Sequence, residues 1–289
     1  MSFTPRFALV FAIAVGAAVV ISPMAALATT AIGLHSPFPR IFDRTVMVTL
    51  LVALLFPGGR FGLVIRVLRG FVPSALEFHR ALRGFLVAIA SIAALWTLAT
   101  ALGARAASQV AALIPHLARY GAAALLIAII EEGFFRAFLL DGMETDLGRI
   151  GSLAASSAVY AIAHLVRSPA RFYASGFEPL AGVRNLAASL AALGDGNAMM
   201  AGCGLFMLGL VLGEAFLLTR KVYFSVGMHA GMVIGLRFWR AIVESRAALP
   251  GWLFGSGRFP IVSGAAAWIV AVVILATLRP LTRSARRPA

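Results

Sequence analysis

Charged side chains are scarce in this sequence: Asp, Glu, Lys and Arg make up 12% of its 289 residues, while 61% are hydrophobic and the mean hydropathy is +0.94. A chain of this length cannot hide that much apolar surface inside a water-soluble globule, so the composition implies a polytopic membrane protein. Lysine is almost missing. Of 25 Lys and Arg residues only Lys221 is a lysine, and the arginines collect between apolar runs, where they read as lipid-facing, topology-setting charges. No soluble basic stretch with interleaved aromatics is present, which argues against a nucleic-acid partner. Cysteine is rarer still. Cys203 stands alone between Gly202 and Gly204, so there is neither a disulfide framework nor a cysteine-based metal cluster. Internal repeats, low-complexity segments and a His-Glu-x-x-His zinc signature are also missing.

What the sequence does contain is a succession of apolar runs. They predict an all-α polytopic membrane protein with about eight transmembrane helices, over 7–27, 45–56, 84–102, 120–140, 150–166, 199–218, 222–237 and 259–278. We read it as one membrane domain: N-terminal helices over 1–120, a central group of helices over 121–240, and a last helix with a basic tail over 241–289. The acidic stretch Asp141-Gly142-Met143-Glu144-Thr145-Asp146 predicts a short turn that folds the fourth and fifth spans into an antiparallel hairpin. Residues 180–193 are too short and polar for a span and suit either an interfacial, re-entrant helix that covers a cavity or an ordinary surface helix. An even number of spans puts both termini on one side. The densest arginine clusters, 60–83 and 279–287, share that side, which makes it the cytoplasm.

The chain is organised around Ile129-Ile130-Glu131-Glu132-Gly133-Phe134-Phe135-Arg136, two carboxylates and a guanidinium inside an apolar run. An ionised group in such a span costs at least ~2.5–3.5 kcal/mol, so it persists when paired or when chemistry needs it. On an α-helix Glu132 and Arg136 are one turn apart and pair, while Glu131 points about 100° away and addresses another group. A buried ion pair that merely fixes helix packing is the plain alternative. His164 closes the next span, and the tight hairpin lets it face Glu131, which gives the carboxylate and imidazole from which a general base is built. His229 is flanked by Gly227 and Gly231, which permit close approach of a backbone or a substrate, and it can donate to an oxyanion or bind a metal. Glu214, inside the sixth span, reads as a structural partner for a His or Arg on another helix, and Arg237 as a residue that snorkels to the headgroups.

Three motifs in order, Glu131-Glu132-x-x-x-Arg136, Tyr160-x-x-x-His164 and Gly227-Met228-His229-Ala230-Gly231, resemble those of the CAAX-protease and bacteriocin-processing (CPBP) family of intramembrane proteases. The resemblance covers about 125–235. It implies a multi-helix membrane endopeptidase in which Glu131 and His164 activate a water, His229 helps to hold the tetrahedral oxyanion, and Glu132 and Arg136 hold the site together. Two positions depart from the family pattern. Tyr160 stands where phenylalanine is usual, and Val233 stands one turn after His229, where the family often has an asparagine as a second oxyanion ligand.

The expected function is therefore hydrolysis of a peptide bond in a membrane-associated protein or peptide by a Glu/His-activated water. The partners are that substrate and the lipid bilayer. Metal-free glutamate chemistry is expected, with no cofactor. Zinc held by His164, His229 and a carboxylate is the alternative. An inactive scaffold of the same family and a proton-coupled transporter are the competing readings, and the paired half-helices of a transporter are not visible. The Arg/Ala/Gly bias points to a bacterial inner membrane and to peptide maturation or sorting-signal cleavage.

Overall fold

The computed structural model describes residues 2–55, 61–104, 114–166, 172–173, 176–242, 249–255 and 260–282. Phe56, the interruption Pro57-Gly58-Gly59, Arg60, the link 105–113, Arg167-Ser168-Pro169, Phe259, and Arg283, Arg286 and Arg287 of the tail lie outside the described residues. Every regular element among the described residues is helical. The longer ones, in order, are α1 (Phe3–Ala31), α2 (Phe38–Leu55), α3 (Leu63–Gly70), α4 (Ala75–Ala101), α5 (Leu117–Glu132), a π-helical stretch (Gly133–Leu140), α6 (Asp141–Leu165), α7 (Ala181–Ala191), α8 (Gly196–Thr219), α9 (Tyr223–Ile242) and α10 (Ala265–Thr282). The all-α polytopic expectation holds.

Among the described residues, four helices are long and apolar enough to cross a membrane by length and composition: α1, α4, α8 and α10. The other expected spans fall in helices that carry charge. Arg40, Asp43 and Arg44 lie in α2, Glu131, Glu132 and Arg136 in α5 and the π stretch, Glu144 and Arg149 in α6, and Arg237 in α9. Helix α4 starts at Ala75, well before the apolar run at Gly84, because Ser74 caps it: the Ser74 hydroxyl accepts from the backbone N–H of Glu77 at 3.3 Å. Ser74 and Glu77 have the capping-box spacing.

The chain forms two compact units, Met1–Val64 with Ile162–Met199, and Ile65–Ala161 with Met200–Ala289. In the first, α1 packs on α2 and α7. Thr49 donates to the Ala14 carbonyl at 3.0 Å, which ties α2 to α1. Pro23 inside α1 has no N–H, so the Val19 carbonyl lacks its helical donor, and Gly182 of α7 closes on that carbonyl. The segment expected as an interfacial or surface helix is thus packed along one face, with Ala181, Gly182, Asn185 and Ser189 buried.

The second unit is built around α9. Gly227, Gly231 and Gly235, one turn apart, meet Ala81, Phe85 with Ala88, and Ile92 of α4, while Gly84 of α4 meets the backbone of Phe224 and Met228. A side chain at these positions would collide, so the glycines let two helix backbones touch. The glycines beside His229 therefore receive α4. Helix α9 also packs on α5, where Ala128, Val226 and Ala230 share one apolar cluster. Gly209 and Gly213 of α8 bring α6 close in the same way, against Ser157 and Leu153.

The reversal between the fourth and fifth spans differs from expectation. Asp141 to Leu147 remain helical, and the chain turns at Gly148, whose φ of 65° and ψ of −179° are open to glycine alone. The acidic residues instead anchor other segments. Asp141 pairs with Arg66, and Glu144 takes both terminal nitrogens of Arg220, one at 2.8 Å. Arg220 itself sits at φ 56° in the turn between α8 and α9.

Candidate active site

The polar centre of the second unit begins at the end of α5. Glu132, the last residue of α5, and Arg136, in the π stretch, are both fully buried, and the Arg136 Nε–H donates to Glu132 Oε2 at 3.2 Å. The expected one-turn pair is formed. A π-helix beginning at Gly133 was not expected; such widenings gather at functional sites and re-aim the side chains after them. Gly133 is where the side chain of Phe71 presses on the helix.

Glu132 does more than answer Arg136. Its other oxygen, Oε1, is 2.8 Å from His229 Nδ1, and His229 is itself buried. The far nitrogen of the same ring, Nε2, is 3.8 Å from Glu131 Oε2. The two adjacent carboxylates thus address the two nitrogens of one imidazole. Glu131 is the more open of the pair, its side chain 27% exposed against 0% for Glu132.

Tyr160 of α6 closes the cluster from the side. Its buried ring stands edge-on to Phe135 at 5.1 Å and to His229 at 6.3 Å, and the Arg136 guanidinium lies 5.0 Å from its centre. A buried guanidinium on an aromatic face gains a cation–π attraction as well as its ion pair. Aromatic character at this position therefore supports the arginine, with or without a hydroxyl.

The structure brings together Glu131, Glu132, Arg136, Tyr160 and His229. His164 lies in the last turn of α6, one turn beyond Tyr160, half-buried, and falls in the first compact unit. Val233 is half-buried on α9, one turn after His229, and carries no polar atom.

Other candidates find ordinary partners. Glu214 accepts from Arg149 Nη2 at 2.5 Å, the structural role read from the sequence. Arg237 is exposed and lies over the ring of Tyr120 at 5.0 Å. Cys203 is exposed on α8. No group of three or more His, Cys, Asp or Glu residues is gathered as a metal site among the described residues. The contact that sequence reasoning missed is Glu132 with His229, and the only signal for it was the doubled glutamate itself.

Residues 114–235 match the family model described as type II CAAX prenyl endopeptidase Rce1-like. This is the CAAX-protease grouping to which the three motifs pointed, and the matched region contains all seven candidate residues. No curated protein and no solved structure matches the chain.

Proposed function

We propose, from the premise that 114–235 is a CAAX-protease-type region of an integral membrane protein, that the chain is an intramembrane endopeptidase acting on a membrane-associated protein or peptide. The observation that carries this reading is the placement of one imidazole between two carboxylates, with a guanidinium behind them, inside the matched region. In this reading Glu131, assisted by His164, takes a proton from a bound water, and the resulting hydroxide attacks the substrate carbonyl carbon. His229 donates to the oxyanion. On collapse the C–N bond breaks and the leaving amine takes the proton from Glu131. General-base assistance of this kind contributes roughly 10²–10⁴-fold, and one oxyanion donor about 3–4 kcal/mol. The setting we favour is a bacterial inner membrane with both termini in the cytoplasm.

The test is a comparison of membrane proteomes from cells that carry the wild-type chain and cells that carry Glu131→Ala. An uncleaved membrane-associated precursor accumulates in the variant under this reading. Identical proteomes with both proteins expressed would favour an inactive scaffold.

We also hold the chemistry to be metal-free. Exhaustive chelation of the purified protein should leave turnover intact, and elemental analysis should find no stoichiometric zinc. Activity lost to a chelator and restored by Zn²⁺ would make His164 and His229 ligands.

Valine at 233 leaves the oxyanion to His229 and to groups on other elements. His229→Ala should therefore cost about as much turnover as loss of Glu131, whereas Val233→Ala should be nearly neutral. Val233→Asn restores a donor one turn along α9 and should preserve or raise turnover. Wild-type turnover in His229→Ala would remove His229 from the oxyanion role.

A further inference from the structure

Glu132 has two oxygens and two partners, and both contacts constrain where one proton sits. Oε2 accepts from Arg136 at 3.2 Å and Oε1 meets His229 Nδ1 at 2.8 Å, all three side chains being buried. Oε2 already accepts from the Arg136 guanidinium, and a carboxylate shared between two nitrogen partners accepts from both. The proton in the Glu132–His229 bond therefore belongs to the imidazole. With Nδ1–H fixed, the second nitrogen is directed away from Glu132, and Nε2 is the one that lies 3.8 Å from Glu131.

We infer that Glu132 is a positioning residue that pins the Nδ1 proton of His229 and makes Nε2 the working nitrogen of the site, an inference that rests on the endopeptidase reading above. A neutral ring held this way offers a lone pair at Nε2. It donates from Nε2 to a substrate oxygen only when it carries both protons, so oxyanion donation goes with the charged imidazolium. The groups around the ring are consistent with a cation: Glu131 and Glu132 contribute two carboxylates, Arg136 one positive charge, and Tyr160 an aromatic edge. From α4, the helix faces α9 here with Gly84, Phe85 and Ala88, and its titratable residues Glu77, His79, Arg80 and Arg83 all precede Gly84.

The experiment is ¹⁵N NMR of the full-length protein, labelled at histidine and held in detergent micelles, with the His229 signals assigned by their loss in His229→Gln. We expect Nδ1 to be protonated in the wild type. A neutral ring with its proton on Nε2 and a bare Nδ1 overturns the inference without any variant being made, and this readout does not depend on turnover. Glu132→Gln presents an amide that can donate to Nδ1, so it should move the proton to Nε2; the neutral ring then donates to the oxyanion without the charge of the imidazolium, and kcat should fall on the order of 10²-fold or more with KM little changed. Glu132→Asp, which keeps the charge, should retain the Nδ1 proton. A moved proton with unchanged kcat would show that the Nδ1 proton held by Glu132 does not contribute to turnover and would remove Glu132 from the positioning role. If the wild type hydrolyses nothing while its Nδ1 is protonated, the endopeptidase reading fails and the placement of the proton stands.

Discussion

Purified Glu131→Gln protein should insert, fold and melt like the wild type and yet lose turnover by roughly 10²–10⁴-fold or more. Glutamine has nearly the shape of glutamate but cannot take a proton from water. Glu131 is also the member of the cluster whose loss should disturb the fold least. Its side chain is 27% exposed, and the Arg136 Nε–H goes to Glu132 rather than to Glu131. A loss of activity without a loss of stability is the signature of a base and separates Glu131 from its neighbour. The assay is product formation by detergent-solubilised enzyme, with thermal melting recorded on the same preparation. Normal product yield from the glutamine variant would rule out glutamate-activated water as the mechanism.

Arg136→Ala should act in the opposite order, on the fold before the chemistry. The side chain is fully buried, paired with Glu132 and stacked on Tyr160. Truncating it leaves the Glu132 carboxylate in an apolar interior with only the imidazole of His229 to answer it. Removing one partner of a buried pair costs roughly 3–5 kcal/mol, a large share of the stability of most folded chains. The expected result is a clear fall in melting temperature and in the yield of solubilised protein. A melting curve that superimposes on the wild type would mean that the pair does not form in the membrane protein as purified.

The class of the molecule and the identity of its central residues could be read from the chain because both depend on cost. Burying charge in apolar surroundings is unfavourable enough that Glu131, Glu132 and Arg136 stand out, and their spacing alone predicts the Glu132–Arg136 pair. Geometry that depends on the local backbone was less legible. Nothing in Gly133-Phe134-Phe135-Arg136 distinguishes a π-helix from an α-helix. Hydropathy passes over the start of α4, because Ser74 acts there through a hydrogen bond from the backbone N–H of Glu77 and not through an apolar side chain. The acidic run 141–146 has the composition of a turn, whereas Asp141 and Glu144 are answered by Arg66 and Arg220 and the helix continues to Gly148. The double duty of Glu132 needed the position of α9, and only tertiary contact supplies that.

The glycine contacts between α4 and α9 limit which parts of the second unit can move. Where two backbones touch at Gly84, Gly227 and Gly231 there is no layer of side chains to rearrange, so sliding or tilting one helix carries the other with it. His229 then rides on a stiff two-helix beam. A widening beside this beam falls instead at contacts made through side chains, which for α9 are those with α5, α6, α8 and α10. In the proposed reaction the donor therefore stays with the beam, and it is the beam's neighbours that shift.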